Sequence, residues 1–411
     1  MNVDETKAPA PRVAAPPSAA QVAGPPSAAQ VAAPLTAAQD DAPAGPVAPA
    51  PGVIPAAPDP SGFSLRGFAP SWGSSVMGTS ALSVALASIG EGTSVADLTL
   101  VLARIVLVIA LVAGALVLGA TTARWTRHTA AALDDLRHPV KGGMTATAAG
   151  ALLTLAVAIG KVGPGFLPEG VIEPLVVVLV AIGGLLALLI GWEFLAEVFT
   201  SRDAALAQMS GSWFVPPVVT IIVPLALLPI IGRHPDVAAD LVAVAWAFLG
   251  MGAVLYVVVT ATLFMRSISH PLPPVALAPT LFIGMGPAGL IGLDIVRLSQ
   301  VSIATGVSPE LLLPIVLPLA TMMWGFGLWW MVSALIVLRR GYARVPFSSS
   351  WWGFTFPLAA WTIATIVLGR TWDSGLLTAV AWVATVSLAA LWTYVAARTL
   401  LGIRAGTIWS H

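Results

Sequence analysis

The sequence predicts an all-α polytopic membrane protein with ten transmembrane helices. Three observations carry that prediction. Hydrophobic residues make up 57% of the 411 and charged ones only 9%, too few polar groups to clothe a water-facing globule. Apolar runs of about 20 residues, the length that crosses a bilayer core, recur along the chain. The segments between them are short, so neighbouring spans pair as antiparallel hairpins, and the runs are too long and too evenly apolar for barrel strands.

In chain order, residues 1–62 read differently from the rest. "PPSAAQVAG" repeats as "PPSAAQVAA", and Pro, Ala and small polar residues continue to about Pro60. With almost nothing large to bury, this stretch is expected to be a disordered cytoplasmic tail. It lacks the basic start and short apolar core of a signal peptide. Residues 63–411 form the membrane domain. Its spans are expected at 71–90, 97–121, 140–162, 170–197, 213–232, 237–265, 273–300, 309–338, 351–369 and 375–400.

An even number of spans places both termini on one side. Of the 19 Lys and Arg, Lys161, Arg233 and Arg370 fall on the opposite side, Arg104 and Arg297 fall inside spans, and the rest lie on the side of the termini. Basic loops stay inside, so both termini are expected in the cytoplasm.

The spans alternate in character. Odd ones begin with text such as "GFAPSWGSSVMGTS", "RHPVKGGMTATAAG", "SGSWFVPPVVTIIVP", "SHPLPPVALAPTLFIGMGP" and "PFSSSWWGFTFP", which combines Pro or Gly with hydroxyls and aromatics. Even ones, such as "LTLVLARIVLVIALVAGALVLG", are plainer. Proline frees a carbonyl that needs protein or water as partner, and small residues permit close packing. The odd spans are therefore expected as inner helices and the even spans as lipid-facing ones. Pro216, Pro217, Pro224, Pro279, Pro287 and Pro357 are candidate kinks, and Thr145, Thr147, Thr280 and Thr355 are candidate lining hydroxyls.

Charges inside spans are functional candidates. Asp294 and Arg297, three apart, can pair on one helical face, and Arg104 can meet Glu193 or Glu197. Asp294 carries two readings, half of a structural ion pair or a proton-coupling carboxylate. Other chemistries find no support. There is no cysteine, and His128, His138, His234, His270 and His411 sit at span ends or at the terminus rather than at haem-ligand depth. No HExxH, phosphate-binding lysine loop or nucleophile elbow occurs, so neither an enzyme nor a cofactor is expected. Zero net charge points to no nucleic-acid partner.

The five odd-span motifs, in order, resemble the tellurite-resistance/dicarboxylate transporter family, which includes the plant slow anion channels. The resemblance covers about Phe68 to Arg398. It implies five hairpins around a central pore, a homotrimer in the plasma membrane, small inorganic or dicarboxylate anions as substrates, and a pore closed by a phenylalanine on the ninth span. The matching residue in "WWGFTFP" is Phe356, with Pro357 bending the helix beside it and Phe354 on another face. From the residues alone Phe356 reads first as an aromatic packed in a helix interface, and the gate role comes from the resemblance. Two rivals stand beside a channel: a proton-coupled dicarboxylate or sulfite transporter on the same fold, and a non-transport redox or structural subunit.

Overall fold

The computed structural model describes residues 63–200 and 206–409. The expected tail lies outside the described residues, as do Arg202 and His411. Among those described there are helices and no strands, and ten helical stretches are long and apolar enough to cross a membrane.

The helices are α1 (Gly73–Gly90), α2 (Ala96–Arg127), α3 (Thr129–Arg137), α4 (Gly142–Thr145), α5 (Thr147–Val162), α6 (Glu169–Thr200), α7 (Val215–Ile231), α8 (Ala238–Ser269), α9 (Met285–Ala304), α10 (Pro309–Gly341), α11 (Trp352–Thr371) and α12 (Gly375–Arg404). The short α3 lies between the second and third spans and was not foreseen, while α4 opens the third span. Four of the five odd spans open with 3₁₀ turns, at Pro70–Trp72, Gly211–Phe214, Val275–Gly284 and Ser349–Trp351.

Burial separates two sets of spans. In the odd spans 78% to 100% of the central stretch is buried, and in the even spans 17% to 33%. The alternation expected from Pro, Gly and hydroxyl content is thus present in the packing. Each outer helix lies against the inner helix that precedes it.

Glycines let the inner elements approach closely, and their contacts run in sequence around the molecule. A Cβ on Gly73 would fall 2.5 Å from the Thr147 carbonyl oxygen, joining α1 to α5. Gly143 sits against the Ser212 carbonyl and Gly211 against that of Thr280. Gly289 of α9 faces the Trp361 backbone of α11, and Gly78 of α1 faces Thr355 of α11, which returns the series to its start. Side chains are excluded at these points because backbone, or a buried Thr, occupies the space a methyl would need.

Indole N–H groups connect the two sets. Trp392 of α12 donates to Thr79 Oγ1 at 3.0 Å, Trp246 of α8 to Ser302 Oγ at 3.0 Å, and Trp324 of α10 to Thr365 Oγ1 at 2.8 Å. In the long 3₁₀ segment, Trp330 Nε1 donates to the Leu281 carbonyl and Tyr256 Oη to that of Gly284. Carbonyls at a change of helical winding lack regular partners, and lipid supplies none.

The kink candidates divide. Pro224 and Pro357 are interior to α7 and α11, as expected. Pro216 and Pro217 occupy the first turn of α7, and Pro287 is the third residue of α9. Each of these three follows closely on a 3₁₀ segment, Gly211–Phe214 before α7 and Val275–Gly284 before α9, so they stand where the winding changes. Pro279 lies within the 3₁₀ segment. The outer spans are not uniformly plain, because α10 contains Pro314 and Pro318.

Candidate functional site

All five inner helices contribute to one cavity of about 620 Å³. Its walls include Ala81, Val84 and Ser88 from α1 and Thr154, Val157 and Lys161 from α5. Ile222, Leu225 and Pro229 come from α7, Leu290, Leu293 and Arg297 from α9, and Phe356, Ala360 and Ile363 from α11. The wall is apolar near Phe356 and polar at the C-terminal ends of the helices, where Lys161, Arg233 and Gln300 are exposed.

On the other side of Phe356 lies a pocket of only about 20 Å³, lined by Ser74, Met77, Thr147, Val218, Ile283 and Pro357 among others. Phe356 is the residue common to both walls, and it is 5% exposed. Farther toward the N-terminal ends of the inner helices is a third space of about 560 Å³, bounded by Ser71, Arg124, Lys141, Met144, Thr280 and Ser350 among others. Phe354 lines none of these three. It packs edge-on against Phe282 and Trp351, with ring centroids 5.4 Å apart in each case.

The threonines are distributed less simply than expected. Thr147 reaches the small pocket and Thr280 the third space. Thr145 borders a separate 20 Å³ pocket beside Arg124. Thr355 lines none of these spaces, being fully buried where α11 meets Gly78. All four hydroxyls donate to backbone carbonyls, such as Thr355 to Trp352 at 2.8 Å and Thr280 to Leu277 at 2.6 Å. Thr154, absent from the expected set, lines the large cavity.

Neither expected ion pair forms. Arg297 turns toward the cavity and donates to Gln300 Oε1 at 3.2 Å, as a long cationic side chain does when water is within reach. Asp294 is fully buried, and neither carboxylate oxygen has a hydrogen-bond partner. Arg104 stacks over Phe166 and reaches the Pro164 carbonyl, while Glu193 lies 3.8 Å from Arg137. The reason is depth. Arg104 is the ninth residue of α2 and Glu193 the 25th of α6, so on these two even helices, which run the same way, they differ by about 24 Å along the axis.

A charge cluster that the sequence reading missed sits at the mouth of the large cavity. Glu91, just past the end of α1, accepts from Lys161 of α5 and from Arg370 Nη1 of α11 at 2.7 Å. Arg370 also donates to the Ser88 and Glu91 carbonyls. Burial pushes the Glu91 carboxyl up, but the hydrogen bonds and charges of Lys161 and Arg370 outweigh it and hold it below its ordinary value. The available signal was positional, since Lys161 and Arg370 fall in the last turns of the third and ninth spans and Arg233 just after the fifth.

At the opposite end, buried Arg124 donates to Asp135 at 2.6 Å and to the Arg66 and Ala131 carbonyls, tying α3 to α2.

Residues 67–400 match the family model described as the voltage-dependent anion channel, SLAC1. The chain belongs to that family. It is therefore a multi-pass membrane protein of an anion channel and transporter family, in agreement with the resemblance carried by its odd-span motifs. Among family relatives, an uncharacterized transporter of Methanocaldococcus jannaschii is 32% identical over 243 residues, 58% of this chain and 66% of that protein. A second uncharacterized transporter of the same organism is 28% identical over 307 residues, 73% of this chain and 84% of the other. The sulfite efflux pump SSU1 of Arthroderma otae is 28% identical over 214 residues, 49% of this chain and 56% of the pump. The aligned region thus spans less than two thirds of the first transporter and little more than half of the pump.

Proposed function

We propose that small anions cross this protein along the axis of its inner helices and that Phe356 closes the path. The observation that carries the reading is the position of that ring, the side chain shared by a large cavity on one side and a minute pocket on the other. An apolar neck stops ions by denying them hydration, because a bare charge in a low-dielectric constriction is very costly. Pro357 leaves the Gly353 carbonyl without its helical donor, which helps α11 bend at the neck. The proposal includes both termini in the cytoplasm, a place in the plasma membrane and assembly as a homotrimer whose protomers each hold a path.

Likeness to fungal sulfite efflux pumps favours a second reading, coupled export of sulfite or a dicarboxylate. Anion uptake into liposomes containing the purified chain separates the two. A conductive path gives uptake of chloride and nitrate set by the membrane potential and indifferent to an imposed proton gradient. Uptake that requires and tracks the proton gradient would replace the first reading with the second, and absence of any anion flux would end both.

A further inference from the structure

Five inner helices end at the mouth of the large cavity. Helix C-termini carry partial negative charge, so five together make this mouth repulsive to an anion unless something offsets them. The offset is present in the wall. Lys161, Arg233 and Arg297 line the cavity, and none of its lining residues is Asp or Glu. The acidic residues of this end lie outside that wall: Glu91 pairs with Lys161 and Arg370, Glu173 with His234, and Asp236 and Asp373 stand in the connections after α7 and α11. Asp97, Glu169, Asp240 and Glu310 occupy the first turns of the outer helices, where they complement the positive end of each helix.

The three wall cations are not equivalent. Lys161 is held by Glu91, and Arg233 is exposed at the rim, donating to the Pro229 carbonyl. Arg297 is only partly exposed and sits on the wall between Leu293 and Val301. Among the described residues no carboxylate lies within salt-bridge distance of it, and its one hydrogen bond goes to the neutral amide of Gln300. Glu91, the acid of the mouth, is committed to Lys161 and Arg370. A guanidinium has five N–H donors in a rigid planar fork, so most of Arg297 remains available to something in the cavity.

We infer that Arg297 forms an anion-loading site in this vestibule that selects small oxyanions, carboxylates or inorganic anions with several oxygens, over halides. The inference rests on the proposed passage of anions and adds where they are held first and by what chemistry. The fork binds two oxygens of one anion side by side, whereas a spherical halide gains only the charge. Gln300 beside it offers an amide N–H₂, and Arg233 at the rim adds long-range attraction.

The test is equilibrium binding to the full-length chain in detergent, read as the rise in melting temperature with added sodium nitrate or sodium chloride. Nitrate and chloride have equal charge, so their difference reports the fork. Wild type is expected to bind nitrate at least about tenfold more tightly than chloride. Arg297→Gln should weaken nitrate binding by about ten- to a hundredfold, the loss of charge-assisted hydrogen bonds. Arg297→Lys keeps the charge and should leave chloride binding within about twofold while nitrate falls toward it. Arg233→Gln, at an exposed position on the rim, should weaken both anions alike by a few-fold. Nitrate binding that survives Arg297→Gln, is fully restored by Arg297→Lys, or equals chloride binding in wild type would overturn the inference. Because binding is measured without flux, failure of the Phe356 path shows up separately, as a sealed Phe356→Ala protein that still binds nitrate through Arg297.

Discussion

Truncation of the ring shared by the large cavity and the small pocket, Phe356→Ala, sets two physical accounts against each other. If Phe356 only packs, its removal leaves a void and costs about 3–5 kcal/mol, by analogy with buried aromatics of soluble cores. At roughly 2–4 °C per kcal/mol, the melting temperature would then fall by about 6–20 °C with the membrane seal intact. Phe356 borders the 620 Å³ cavity but is only 5% exposed, so most of its contacts are forfeited and a stability loss in that range is expected on either account. Flux should respond in the opposite sense. Removing the apolar obstruction joins the large cavity to the small pocket and need lower the barrier by only about 1.4 kcal/mol to raise anion efflux tenfold. Chloride and nitrate efflux from liposomes is the assay, with Phe354→Ala as control because its ring packs on Phe282 and Trp351 away from the axis. A folded Phe356→Ala protein with wild-type or lower efflux would refute the gate, and so would an equal leak from Phe354→Ala.

Two further outcomes concern packing and charge. Gly289→Ala places a methyl 2.8 Å from Trp361 Cα and 2.9 Å from its amide nitrogen, backbone that no rotamer change can move. A loss of about 1–3 kcal/mol in thermal stability is expected, whereas Gly119→Ala on α2, with nothing within 4 Å of its new methyl, should be neutral or slightly stabilising. The Glu91 cluster should be acid-sensitive. Its carboxyl is held below the ordinary value of 4.5, so its stabilising contribution is complete above that pH and is lost as pH falls through the lower folded value. Wild-type melting temperature should therefore drop more steeply than that of Glu91→Gln between about pH 5 and about pH 3, and parallel curves would show that the cluster adds nothing.

The spans were legible because lipid imposes one rule on the whole backbone, and their ends fall within a few residues of the expected limits apart from some helical overhang on the outer set. Inner and outer roles were legible for a related reason. A helix packed on all sides needs Gly, Ala, Ser and Thr, as in α1, whereas one facing lipid needs bulk, as in α2. Side-chain pairing was not legible. Spacing of three permits Asp294 and Arg297 to meet, but the cavity draws Arg297 away, and no sequence pattern encodes where a cavity lies. Arg104 and Glu193 do not meet because α2 and α6 carry them at different depths. Thr355 was misplaced by a single residue step, since the position beside Phe356 on a helix turns toward α1 instead of the axis. Lys161 and Arg233 read in the sequence only as topology markers, and only folding shows that they stand with Arg297 around one opening.

Val275–Gly284 is wound as a 3₁₀ helix, and that winding sets the alignment of what it displays. With three residues per turn, side chains at every third position stack in a straight column instead of spiralling away, at steps of about 6 Å. Leu277, Thr280 and Ile283 occupy such a column, the first two bordering the 560 Å³ space and the third the pocket beneath Phe356. An α-helix would rotate each of these positions by about 60° from the last and turn the third out of line. The segment therefore presents an apolar, a hydroxyl and an apolar side chain at even intervals toward Phe356.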